Sequence, residues 1–371
     1  MKKFFTLLAF PIAATLMSAA SQLIFVGTYT PKDSTSRGIY AVRLDSATGE
    51  LSAPVLAAET PNPTFLALNP NGRFLYTLGD SGAGGAAVAF SLDPTTAKLS
   101  PLNLQPTGGG SLAHVGIDAT GGTLVTVSYN GGQITSFPVG ADGKVGPRKS
   151  AFTSTGPLGP NSARQERPHP HSVTYSPDNR FAYVCDLGRD KIICYRLNAA
   201  TAELTPVSEF ASAPGAGPRH SKFSADGKFF YVINELAGTI AIYGCEPATG
   251  ALTARQSVST LPDGFTGANT TAEIRLHPNG RFVYGSNRGH DSLAVFARNP
   301  ADGTLTRIEI VPSGGGHPRN FNLSPDGAWL VCANRDSDNL VVFKVDATTG
   351  RLTATGHTAT VPRAVCVLFV P

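Results

Sequence analysis

The sequence predicts an all-β fold: a seven-bladed β-propeller of four-stranded antiparallel blades, its ring closed by N- and C-terminal strands that share one blade. Three observations carry this expectation. A turn of the Pro-Asn-Gly or Pro-Asp-Gly type, then a basic or polar residue, then an apolar-aromatic run, recurs as Asn71-Gly72-Arg73-Phe74, Gly121-Gly122-Thr123-Leu124, Asn179-Arg180-Phe181, Gly227-Lys228-Phe229, Gly280-Arg281-Phe282 and Gly327-Ala328-Trp329. Its interval of roughly 50 residues is that of propeller blades rather than helical solenoids. A second, Gly-centred turn falls later in each unit, from Thr48-Gly49-Glu50-Leu51 to Thr349-Gly350-Arg351-Leu352, and occurs seven times where the first occurs six. The composition agrees: 40 Gly and 28 Pro in 371 residues, with 41% hydrophobic and 15% charged, describe a turn-rich chain with a large core.

Taken in order, the chain opens with Lys2 and Lys3, an apolar stretch from Phe4 to Leu16, and Ser18-Ala19-Ala20. This pattern reads as an export signal, residues 1–20, cleaved after Ala20 to leave a propeller domain over 21–371 in the periplasm or outside the cell. The run Leu23-Ile24-Phe25-Val26-Gly27-Thr28-Tyr29 lacks a turn of the first kind before it and reads as the second strand of blade one. In each later unit, a short alternating run before the first turn and a longer apolar run after it read as the two inner strands. The Gly-centred turn then joins the third strand to the outermost one. The last run, Pro362 to Phe369, supplies the missing innermost strand of blade one and removes the exposed sheet edges of an open array.

The net charge of +4 is thinly spread, with no basic run or aromatic platform for nucleic acid, and beyond the signal no stretch approaches a membrane span. Five cysteines, all in apolar runs, suit buried core positions. A hairpin turn at Gly188 to Lys191 would bring Cys185 near Cys194, where an oxidising compartment permits a cross-strand bond.

The first strand of each blade lines a propeller's central channel, and the residues at its start meet at one mouth. Blade by blade they are Pro63-Thr64-Phe65, Ala113-His114-Val115, His169-Pro170-His171, Pro218-Arg219-His220, Ala272-Glu273-Ile274, His317-Pro318-Arg319 and Pro362-Arg363-Ala364. Histidines, arginines and a glutamate therefore converge, as expected of a binding or catalytic pocket. The second strands end in Asn234-Glu235, Asn287-Arg288 and Asn334-Arg335; asparagine is an ordinary turn residue, whereas Glu235 and Arg288 are not explained as turn formers.

With Phe25-Val26-Gly27-Thr28-Tyr29-Thr30, His169-Pro170-His171-Ser172, Pro218-Arg219-His220, Asn234-Glu235-Leu236 and Ser286-Asn287-Arg288, the chain from Leu23 to Phe369 resembles the seven-bladed lactonase family. That family includes propeller-type 6-phosphogluconolactonases and fungal carboxy-cis,cis-muconate cyclases. The resemblance implies lactone ring opening or closing without a metal or other cofactor, on a channel histidine, two arginines and a glutamate. These fall on His171 or His169, Arg219, Arg288 and Glu235, with His114, His220, Glu273, Asn287, His317 and Arg319 as substrate-binding candidates. The implied partner is a small lactone or sugar acid, acted on by a chain taken as a monomer. Histidine or Glu235 would serve as general base, and the arginines would hold an oxyanion or anionic substituent. Two other readings compete: a non-enzymatic exported binding propeller, whose mouth would need no such convergence, and a zinc site on His169 and His171. Pro170 between the two histidines and the want of a third ligand weigh against the metal.

Overall fold

The computed structural model describes residues 21–82 and 84–371; the export signal read over residues 1–20 lies outside them. Among the described residues there are 28 strands and no helix, sorted into seven four-stranded sheets. Six sheets run in chain order. Blade one is ordered Ala364–Phe369, Ser21–Thr28, Gly38–Asp45, Val55–Glu59, with Phe25 paired to Leu368. The ring thus closes where the sequence places the closure.

Burial explains the strand order within a blade. The second strands are sealed between neighbouring sheets and carry continuous apolar runs; every residue of Phe181–Asp186, Phe229–Asn234 and Trp329–Asn334 is buried. The outermost strands, such as Glu203–Ala211, face solvent and are mostly exposed. Each fully sealed aromatic contributes about 1.5–3 kcal/mol through its removal from water.

The repeated turns also stitch one blade to the next. Tyr76, Tyr183, Tyr231 and Tyr284 each donate their phenolic O–H to the carbonyl of a turn glycine in the following blade, namely Gly143, Gly250, Gly303 and Gly350, at 2.9–3.2 Å. In blade seven Trp329 Nε1 donates to Ser46 O across the closure. Gly143 shows why the turn needs glycine: its φ is +79°, and an added Cβ would lie 2.2 Å from the Phe74 ring. A second latch joins the turns near the mouth. Asp190, Asp291 and Asp338 accept backbone N–H bonds from Gly215 and Gly217, from His317, and from Arg363, each at the start of the next blade.

All five cysteines are free. Cys185 pairs in register with Ile192, whereas Cys194 lies opposite Tyr183, so the two sulfurs are offset by two residues and the cross-strand bond is not formed. No described helix is long and apolar enough to cross a membrane.

Candidate active site at the channel mouth

One local irregularity repeats around the mouth and builds the site. In blades three, four, five, seven and one, the pairing between the innermost and second strands shifts by one residue, leaving Ala113, His171, Arg219, Arg319 and Val365 unpaired. In blade six both Ala272 and Glu273 fall in the shift. A bulge re-aims the side chain it frees. Here it turns five of these residues into a shared cavity of about 970 Å³. A second ring comes from the ends of the second strands, where Tyr29, Asp80, Tyr129, Glu235 and Arg288 occupy equivalent positions and line the same cavity.

The densest chemistry lies on blades four to seven. Glu235, only 3% exposed, accepts a hydrogen bond at Oε2 from Arg219 Nε at 2.8 Å and lies 3.0 Å from Arg288 Nη2 at the same oxygen. Arg164 Nη2 engages its other oxygen. The His171 Nε2 atom is 4.0 Å from Glu235 Oε2, close enough for electrostatic support but not for a hydrogen bond, and the buried Nδ1 has no partner. Arg288 is further fixed by donating to Thr271 O at 2.6 Å, and Arg219 by donating to Ala272 O at 2.6 Å. Arg319 instead lies over the Tyr29 ring, 5.4 Å from its centroid, and donates to the Tyr29 hydroxyl at 3.0 Å.

These contacts set the protonation states. Burial pushes the Glu235 pKa up, but Arg288 and Arg219, followed by His171 and Arg164, outweigh it and hold the carboxyl well below its ordinary 4.5. Burial, and after it the charges of Arg219 and neighbouring groups, holds His171 well below 6.5, so its ring is neutral near pH 7. Burial and then Arg288 push His317 down to about 3.

Beneath the arginines is a buried polar layer. His220 Nε2 is 3.2 Å from Arg219 Nη1 and its Nδ1 is 3.1 Å from Glu273 Oε2. A guanidinium only donates, so Nε2 accepts and Nδ1–H donates to the carboxylate. Asn320 donates to the same Glu273 oxygen, while its own Oδ1 accepts from Val367 N at 2.9 Å. Glu273 thereby fixes the tautomer of His220, and His220 fixes the guanidinium of Arg219.

The structure brings His171, Arg219, Glu235, Arg288, His220, His317 and Arg319 to the cavity and places four other candidates outside its lining. His169 stacks on Tyr129 at 4.1 Å and turns its nitrogens to Tyr129 O and Glu166, so it holds the wall from behind. His114 lies under Phe65, ring centroids 3.9 Å apart. Glu273 is fully buried in the layer below. Asn287 sits one residue short of the lining position, where its amide is consumed by Thr260 and Ser292. Tyr29, Asp80 and Tyr129 were legible but missed: aligning the second-strand ends puts them in register with Glu235. Arg164 was not, because its long connection between blades three and four has no counterpart in the repeat.

Fold and mouth together define a class. A sequence profile described as "Lactonase, 7-bladed beta-propeller" matches residues 23–369, and the chain belongs to this family. Among its relatives, the 6-phosphogluconolactonase of Bacillus subtilis (strain 168) is 39% identical over 345 residues, 93% of this chain and 97% of the relative. The 6-phosphogluconolactonase of Formosa agariphila is 34% identical, covering 80% of this chain and 85% of its own length. The solved periplasmic gluconolactonase of Pseudomonas aeruginosa superposes with a TM-score of 0.89 at 31% identity, over 95% of this chain and 99% of that one.

Proposed function

We propose that this protein is a lactone hydrolase that opens a sugar lactone at the channel mouth. The observation that carries the reading is the convergence of Arg164, Arg219 and Arg288 on the buried Glu235, beside a neutral His171. One carboxylate cannot neutralise three guanidinium groups, and the surplus positive charge is suited to an oxyanion and to the carboxylate product.

In the proposed reaction His171 takes a proton from water as the water oxygen bonds to the lactone carbonyl carbon. The tetrahedral oxyanion is held by Arg219 and Arg288. Collapse breaks the bond from that carbon to the ring oxygen, which receives the proton back from His171 and leaves as a hydroxyl. The new carboxylic acid ionises at neutral pH, releasing one proton per turnover. Glu235, whose oxygens are taken up by Arg164, Arg219 and Arg288, gathers the guanidinium groups and stabilises the transient imidazolium 4.0 Å away. The same groups run in reverse would close a ring, but net hydrolysis fits the names of the relatives above.

We further propose that residues 1–20 are removed and that the propeller acts outside the cytoplasm, as the printed name of the Pseudomonas relative suggests for that protein. N-terminal sequencing of the mature protein should begin at Ser21. The activity itself is tested by pH-stat titration against phosphorylated and unphosphorylated sugar δ-lactones, with spontaneous opening subtracted. Acid release above background on at least one is expected; none on any would return the protein to the class of binding propellers.

A further inference from the structure

Across the cavity from the arginines stands a carboxylate with a different environment. Asp80 ends the second strand of blade two, Phe74–Asp80, at the register position that carries Glu235 in blade five and Arg288 in blade six. It lines the same cavity and is exposed to it. One oxygen, Oδ1, accepts the Gly82 backbone N–H at 2.7 Å, which fixes the side chain at the strand end. Whereas Glu235 is held by three arginines, no cation among the described residues lies within ion-pair distance of Asp80. Blades two and three also contribute Asn62, Thr64, Ser111 and Asn130 to the cavity lining, all neutral hydrogen-bonding groups.

We infer that Asp80 is a specificity-determining residue that binds the hydroxyl groups of a polyhydroxylated lactone, opposite the end where the carbonyl is attacked. This rests on the lactonase reading and extends it to how the substrate is oriented. A fixed carboxylate with a free oxygen accepts charge-assisted hydrogen bonds from hydroxyl groups and repels carboxylate or phosphate. The arginines attract those same anions. The two walls therefore give the cavity a direction: the anionic or carbonyl end of the ligand goes to blades four to seven, and its hydroxyl-bearing carbons to blades two and three.

The test compares a polyol acid with its bare analogue, by binding and by turnover. Isothermal titration of the full-length mature protein with gluconate and with 5-hydroxypentanoate should show gluconate binding at least about tenfold more tightly, the effect of one or two charged hydrogen bonds. Asp80→Ala, and Asp80→Asn, which retains an acceptor for Gly82 N–H, should abolish that preference without weakening 5-hydroxypentanoate. In parallel, kcat/KM on glucono-δ-lactone should drop by a similar factor in both variants while δ-valerolactone stays within about twofold. Equal binding of the two acids to the wild type, binding of neither, or a preference that survives both substitutions would overturn the assignment. Binding that behaves as expected with no turnover of either lactone would leave Asp80 as the hydroxyl reader and sink the hydrolase reading instead.

Discussion

Two carboxylates at equivalent places in the repeat, Glu235 in blade five and Asp80 in blade two, have opposite surroundings. Glu235 is buried and held by three guanidinium groups; Asp80 is exposed, anchored by one backbone N–H, in a neutral wall. The backbone is not what separates them, since both end a second strand at the mouth. One difference is the residue at the entry of the innermost strand: blade five has Arg219, freed by a bulge beside Glu235, whereas blade two has the uncharged Thr64 ahead of the short strand Leu66–Leu68 and no bulge. The other two cations on Glu235 come from outside its blade, Arg288 from blade six and Arg164 from the connection between blades three and four, so the contrast is built by several elements around one mouth.

The sharpest way to break this contrast is to remove Glu235. Glu235→Ala leaves the buried guanidinium groups of Arg219 and Arg288 facing one another, with Arg164 beside them. Breaking such a buried ionic set costs on the order of 3–5 kcal/mol, so a clear fall in the chemical denaturation midpoint and loss of measurable lactonase activity are expected together. Glu235→Gln separates the two effects, keeping shape while removing charge.

Arg219→Ala and Arg288→Ala come next. Each removes one donor to the oxyanion, and each should lower kcat on the order of 100-fold with a lesser change in KM. Near-normal turnover in both would refute the assignment of the arginine wall as the reacting one.

A smaller effect should follow from Glu273→Gln. This residue does not reach the cavity, yet it fixes His220 and through it Arg219. A loss of roughly tenfold in kcat with KM little changed is expected, and a His220→Ala change in the same background should add little. Independent, multiplying losses would show that the relay does not act as a unit.

The mildest test varies pH. The activity proposed for neutral His171 should be flat from about pH 8 down through 6.5 and decline only at lower pH, as pH falls through the depressed folded pKa. His114 and His220 are depressed too, with burial the leading cause in each. The unfolded chain then takes up protons below 6.5 that the folded chain refuses, so stability is fully present above that pH and falls as pH drops through the window beneath it. Each histidine contributes up to about 1.4 kcal/mol per pH unit there. A melting temperature unchanged from pH 7 to 5 would contradict neutral burial of all three.

Much of this was readable before the structure. The turns around Gly72 and Gly49 gave the blade count, and the missing first turn located the closure, since both depend on local chemistry that repeats. The histidine and arginine set was readable for the same reason, though the bulges were not: nothing in Pro170-His171-Ser172 announces that the pairing skips His171. That skip decides which of two adjacent residues reaches the cavity in blades three and four, and so separates Ala113 from His114 and His171 from Ser172. His114 falls on the paired side of this one-residue step, and Glu273 lies in a two-residue shift that leaves it in the layer below the cavity. Arg164 lies outside any repeat, so only the folded arrangement shows its contact with Glu235.

The closure of blade one matters to the mouth as well as to the ring. Tyr29 and Val365 both line the mouth, and Arg319 is held by Tyr29 across 290 positions of sequence. Six blades can collapse as local units while the chain lengthens, but the wall that steadies Arg319 is complete only when Ala364–Phe369 docks beside Ser21–Thr28. A chain without either terminal strand would therefore lack the Tyr29 and Val365 parts of the mouth and the partner that holds Arg319.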